Sequence, residues 1–498
     1  MLMINNKSFQ ILTTIILLSS SMTMVLAQEN PADLDPLVDI QITVSIHQVR
    51  SLEKEDPQIN AVEIIDTSTD PDFYMKCIIN ENEYQTSTWE NTKYIYEPSW
   101  QISHDVPDYE EEVSITLQLW DAKDETATSD RLCDISGDTG GSDDAYDAEL
   151  IYNIKTGHWT GDDFVGDPSG YGRLNGCDDG TIYEQDRDCE LWFSIIQTDY
   201  DQDLIPYHAE IDEIGTDPMI NDAMDDPDND SVPTYWEWTY GYNPQEWNDH
   251  TNLDPDNDGI QNIEEYLTSS WYSDPFVRDV FIELDQMEDG PNGQSASLPE
   301  GSKELLYTAY DRQNVVYHLD DGRWENSRSD LIPFDELTEA SWGNEENELN
   351  DIYDTYYAQH EEDAWRRGVF HYGVVIYQSS VVNGNMFGAN RFQISANGME
   401  AKLRQFPSLD RDVVYASAYM HEAGHTFGFR PIPGHNSMSY YPWQVGWWLS
   451  RPYKSCMNYG YMYTTVDYSD GSRPFYGRLS GDYDDWERMD LTYFQRDW

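Results

Sequence analysis

Five residues, His421-Glu422-Ala423-Gly424-His425, carry the most specific chemistry in this sequence. On a helix, histidines at i and i+4 leave one face about one turn apart, which suits two neighbouring ligand positions on a tetrahedral zinc ion. Glu422 is offset around that helix, where it can take a proton from a metal-activated water, the general-base part in hydrolysis. The pattern predicts a helix over 411–427, with Ser408 or Asp410 as N-cap and Gly428 as its stop. Gly428 follows His425 by three residues, where the chain must turn sharply to bring back a third ligand. The plain alternative is a pair of surface histidines on an acidic helix.

Downstream, Ser455-Cys456-Met457-Asn458-Tyr459 reads as a Met-turn. Together with His421-Glu-Ala-Gly-His-Thr-Phe-Gly428 it resembles the metzincin clan of zinc endopeptidases. The resemblance implies an α+β zinc protease domain in which His421 and His425 bind zinc and Glu422 is the general base. It also implies Met457 as a hydrophobic floor beneath the metal and Tyr459 as a group reaching the zinc or the oxyanion. The clan's third ligand lies three residues after the Gly, and Pro431, which cannot bind zinc, stands there. His435, on the stiff loop Pro431-Ile-Pro-Gly-His435, is the candidate instead, with Asp467 and Asp470 as alternatives. The implied substrate is a protein or peptide, added as an extended strand to a sheet edge near 368–377 or 390–395.

The elements before this site carry their own chemistry. Asp199-x-Asp201-x-Asp203 is followed by Glu210, Asp226-x-Asp228-x-Asp230 by Glu237, and Asp254-x-Asp256-x-Asp258 by Glu265. Each Glu is the twelfth residue of its unit, and the units start 27 and 28 residues apart. That is the ligand spacing of an EF-hand-type calcium loop, with an apolar residue (Ile205, Val232, Ile260) at position 7. Only the third unit has the preferred Gly at position 6, Gly259; Leu204 and Ser231 stand there in the others. The array resembles thrombospondin type 3 and dockerin-like repeats, which implies calcium binding and a rigid, metal-dependent spacer.

Residues 38–195 alternate with period two between Asp/Gly/Pro-rich turns, the pattern of an antiparallel β-sandwich. Around Asp72-Phe-Tyr-Met-Lys76 and Leu119-Trp-Asp121…Asp130 the stretch resembles a C2 domain. The resemblance implies calcium at Asp70, Asp72, Asp121, Asp124 and Asp130, and leaves open contact with a membrane or glycan. The second aspartate of the family's usual pair is Lys123 here, with Asp124 beside it. Among five cysteines, Cys177–Cys189 and Cys77–Cys133 are the candidate disulfides, which leaves Cys456 over.

The expected organisation is multidomain: signal peptide 1–27, spacer 28–37, C2-like sandwich 38–195, calcium repeats 196–275 and zinc protease domain 276–498. Lys7, the apolar run 11–18 and Val25-Leu26-Ala27 give the leader its three parts, which implies a secreted, monomeric product. With 95 acidic against 28 basic residues, a formal charge of −67 excludes nucleic acid as a partner and suits a protein hydrated in high salt. The sequence therefore reads as a secreted zinc- and calcium-dependent endopeptidase. The competing reading is a calcium-stiffened adhesion protein whose protease-like domain no longer cuts. An esterase is disfavoured because no Gly-x-Ser-x-Gly elbow occurs.

Overall fold

The computed structural model describes residues 39–52, 70–107, 109–123, 129–138, 145–180, 182, 187–324, 326–337, 348–358, 364–379, 382–473 and 482–495. The leader (1–27), the spacer (28–37) and Asp124 lie outside the described residues. No helix among those described is long and apolar enough to cross a membrane.

The N-terminal part is a sandwich of two antiparallel sheets, as its alternation predicts. One has strand order β4-β1-β10-β9 and the other β3-β2-β5-β7-β8, with β6 also on β5. The strands are β1 (Gln41–Ser51), β2 (Phe73–Ile79), β3 (Asn82–Gln85), β4 (Tyr94–Asp105), β5 (Glu112–Asp121), β6 (Arg131–Cys133), β7 (Ala148–Asn153), β8 (Trp159–Gly161), β9 (Arg173–Asn175) and β10 (Cys189–Gln197). Strand β5 buries every second residue, so Val113, Ile115, Leu117 and Leu119 meet Ile42, Val44 and Ile46 of the facing sheet in one core. Neither expected disulfide forms, and all five cysteines are buried thiols. Cys77 on β2 and Cys133 on β6 flank β5 from opposite sides, with one strand between them, too far for an S–S bond. Cys177 instead donates its thiol to Asp188 (3.3 Å).

The three loops of the repeat fold alike. The amide of each sixth residue (Leu204, Ser231, Gly259) donates to the first Asp, at 2.9–3.1 Å. These residues all have positive φ (74°, 85° and 93°), so the two non-glycines hold a conformation that suits glycine. One π-helical turn (Ala209–Ile214), then α1 (Thr234–Thr239) and α2 (Asn262–Thr268), follow the three loops. The array is a packed wedge, which corrects the expectation of a spacer. His158 of the sandwich donates to the Trp238 carbonyl of α1 (2.9 Å), while the third loop is bound into the C-terminal domain. There Asp258 Oδ2 accepts the Asp279 amide (2.8 Å), and Gln495 donates to the Gly259 carbonyl (2.6 Å).

The C-terminal domain holds a sheet of order β12-β11-β14-β16-β15, with the short β13 also on β11. Its strands are β11 (Arg278–Met287), β12 (Val315–Asp320), β13 (Leu331–Ile332), β14 (Phe370–Ile376), β15 (Gly384–Gly388) and β16 (Arg391–Ser395). All pair in parallel except β15, which runs antiparallel along one edge. Two expectations are corrected here. The stretch 298–319, whose sequence reads as helical, is α3 (Glu300–Asp311) followed by the edge strand β12, because six buried residues in a row suit a parallel strand covered on both faces. The strands expected to hold substrate, β14 and β16, are both interior, and among the described residues β15 is the edge strand beside them. Helices α4 (Ala396–Gln405) and α5 (Arg411–Thr426) pack against this side of the sheet. Asp410 caps α5 through bonds from the Asp412 and Val413 amides, as expected for a helix with an acidic N-cap.

Candidate metal centres

Helix α5 buries nearly all its residues beyond the first turn, His421 and Glu422 included, so the two histidines project into the protein and not into solvent. His421, His425 and His435 meet with ligand nitrogens within 4.8 Å of one another and ring centroids 5.0–5.2 Å apart. The third imidazole is therefore His435. Asp467 turns away to accept from the Trp486 ring nitrogen (3.2 Å), and Asp470 accepts the Ser472 amide (2.9 Å).

One hydrogen bond fixes the chemistry of His421. Its Nδ1 lies 2.8 Å from the Cys456 carbonyl, which can only accept, so Nδ1 carries the proton. The Nε2 lone pair then points at His435 Nε2, 3.2 Å away. Burial, with His435 alongside, pushes His421 down to about 3, and burial also lowers His425 and His435. Three imidazole nitrogens thus converge, and burial favours the neutral form that a divalent ion requires.

Met457 packs beneath helix α5. Met457 is fully buried, and a Cβ added to Gly424 would lie 2.5 Å from its sulfur, so the helix can approach the turn only with glycine there. The Tyr459 ring stands 4.2 Å from His435 and stacks on Tyr440 at 4.9 Å. Glu422 is buried, and burial pushes its carboxyl up to about 8. A Cβ on Gly384, the first residue of β15, would lie 2.5 Å from Glu422 Oε1. The edge strand β15 thus runs directly past the general-base candidate. Neither Gly384 nor its strand was legible in the sequence, where Gly384-Asn-Met-Phe-Gly388 lacks β alternation.

In the first repeat loop, Asp199, Asp201, Asp203 and Glu210 bring carboxylate oxygens within 4.8 Å of one another. The three aspartates of each later loop do the same. Buried oxygens of Asp201, Asp203, Glu210, Asp228, Glu237, Asp254, Asp256 and Glu265 have no hydrogen-bond partner. Burial and mutual repulsion push Glu210 up to about 9 and Asp256 to about 10. In the second loop Asp230 and Glu237 also form a group with His250, a residue the repeat pattern did not single out. These acidic and histidine clusters can hold metal ions.

At the end of the sandwich the candidate carboxylates meet protein groups. Asp121 Oδ2 receives Arg131 (2.5 Å) and its Oδ1 the Asp72 amide (3.0 Å). Asp72 accepts the Asn91 amide (2.7 Å), and Asp130 accepts Tyr74 (2.9 Å) and the Lys123 amide (3.1 Å). Asp70 is exposed beside them.

No protein-family model matches the chain, and no curated protein matches its sequence. Solved structures with a similar portion include human GIVD cytosolic phospholipase A2 in complex with methyl gamma-linolenyl fluorophosphonate (14% identity, TM-score 0.18), matched over 32% of this chain and 17% of that one. A structure described as a C2 domain matches over 31% of this chain and 97% of its own, with 12% identity and a TM-score of 0.19. A C2 domain of plant extended synaptotagmin 1 matches over 32% and 94%, with 10% identity and a TM-score of 0.18. Likeness at these TM-scores carries no argument about fold or function.

Proposed function

We propose that this chain is a secreted zinc-dependent endopeptidase of metzincin type, stabilised by calcium in its repeat array. The observation that carries the reading is the convergence of His421, His425 and His435, with the His421 Nε2 lone pair facing His435 across 3.2 Å beside a buried carboxyl. An all-imidazole donor set of this kind fits zinc, and the Cys456 carbonyl orients its first ring as a partner beyond the metal should. Bound there, zinc supplies Lewis acidity that brings a nucleophilic water within reach of neutral pH.

The chain's own residues do the rest. Glu422 takes the proton of the attacking water and returns it to the leaving amine; a carboxyl near 8 is well matched to that exchange. The Tyr459 hydroxyl, from a ring beside His435, donates to the developing oxyanion. Strand β15, the outermost described strand on that side, offers its edge to an extended peptide, and main-chain hydrogen bonds place the scissile bond beside Glu422. The first and third repeat loops, whose donors are all oxygen, hold calcium. The N-terminal sandwich is a C2-like accessory module. Arg131 already supplies a cation to Asp121, so calcium is not required at that end.

Cleavage of an unfolded protein by the full chain and by Glu422→Ala, each with zinc content measured, tests the reading. Cutting by the parent alone, with zinc equal in both, is the expected result. Zinc bound without cutting in either protein would favour the adhesion reading, and absence of zinc would sink the site.

A further inference from the structure

The three repeat loops are not chemically equivalent. Chain beyond the first loop brings the carboxylate Asp222 near Asp203, and chain beyond the third brings Asp279 near Asp258. Chain beyond the second brings an imidazole, His250. Its Nε2 lies 3.2 Å from Asp230 Oδ2 and 3.5 Å from Glu237 Oε1, and all three side chains are fully buried. Neither contact has hydrogen-bond geometry: His250 Nε2 and both Glu237 oxygens are without a hydrogen-bond partner. Asp230 Oδ2 accepts only the Asn248 amide (3.1 Å), and with His250 Nε2 and both Glu237 oxygens unbonded, donor atoms this close and buried call for a cation among them.

The ring is also held for the purpose. Trp236 and Tyr242 meet it edge-on at 5.7 and 4.9 Å, with interplanar angles of 88° and 82°. On the opposite side Asn262 reaches His250 Nδ1 at 3.0 Å, while Asn262 Oδ1 has no partner. An Asn262 amide turned to accept from Nδ1–H satisfies that oxygen and leaves the Nε2 lone pair directed at Asp230 and Glu237.

We propose that the second loop binds a transition-metal ion of zinc's class through His250, Asp230 and Glu237, and is not a calcium loop like its neighbours. Calcium takes oxygen ligands, whereas a site with one imidazole and two or more carboxylates suits zinc and its neighbours in the first transition row. The proposal revises the ion of one loop and stands apart from the peptidase reading.

Metal analysis of the full chain tests it, after chelator treatment and dialysis against millimolar calcium with micromolar zinc. The parent is expected to hold about two zinc and about two calcium ions, one zinc in each histidine-containing site. His250→Gln should lose one zinc, and His250→Asp should exchange that zinc for a third calcium. His421→Ala should lose the other zinc and keep this one. A zinc count that His250→Gln and His250→Asp leave unchanged overturns the proposal, whatever the parent's total. Zinc lost in His250→Gln but kept in His421→Ala would support this site while removing the peptidase site, so the two failures are distinct.

Discussion

Gly384 lies closely against the Glu422 side chain. A Cβ on Gly384 would stand 2.5 Å from Glu422 Oε1 and 2.9 Å from its Cγ, so Gly384→Ala must push the carboxylate aside. The expected outcome is a fall of roughly tenfold or more in kcat/KM, since a base displaced by a fraction of an ångström loses much of its advantage. Zinc content should not change, because Gly384 faces the base and not the three imidazoles. His435→Ala should do the reverse and empty the site, and metal analysis of both variants reads the difference. His435 could be nominated from sequence only as one of several candidates. Choosing it over Asp467 required knowing that Asp467 is turned toward Trp486.

At the scale of elements, strand β14 carries a fully buried histidine with no part in the site. His371 packs against Phe427 and Phe494 (5.0 and 4.1 Å between ring centroids), and burial pushes it down to about 3. Unfolded, it titrates near 6.5, so the unfolded chain binds the extra proton and stability is lost as pH falls below that value. Between pH 7 and pH 5 this one group should cost about 2 kcal/mol. His371→Phe should remove that increment, which urea titrations of parent and variant at the two pH values would detect. The repeat loops make a second case. Ser231 holds φ 85°, and Ser231→Gly should stabilise its loop by roughly 0.5–1 kcal/mol, visible as a higher melting temperature. The period of the loops and the extent of α5 were legible because both are local patterns. The break of 298–319 into helix and strand was not, since a short apolar run fits either.

Across the whole molecule, the sandwich is locked to the C-terminal domain by a buried ion pair. Arg50 on β1 donates to Asp311 Oδ2 at the end of α3 (2.7 Å), lies 3.8 Å from Glu190 and stacks between Trp192 and Tyr307. Arg50→Ala leaves Asp311 and Glu190 buried without that charge and should cost about 3–5 kcal/mol. Denaturation should then split into separate transitions for the two ends of the chain, followed by their distinct tryptophan signals. Net charge acts at the same scale. At −67, self-repulsion opposes the compact state, and salt screens it. Melting temperature and activity should both hold or rise in molar salt; collapse above physiological salt would argue against adaptation to it.

The sequence by itself determined what is periodic or contiguous: the alternation of the sandwich, the three Asp-x-Asp-x-Asp loops, and the His-Glu-x-x-His face of α5 with its acidic cap. Each is written in spacings of two, eleven or four residues, and local backbone geometry converts those spacings directly into faces and shells. Only tertiary structure decided which distant groups complete the sites. β15 became the edge strand because β14 and β16 pair inside the sheet, and His250 entered the second loop from chain beyond α1. Cys77 and Cys133 form no disulfide because β5 runs between them. Such contacts depend on how elements stack, and no periodicity along the chain encodes the stacking.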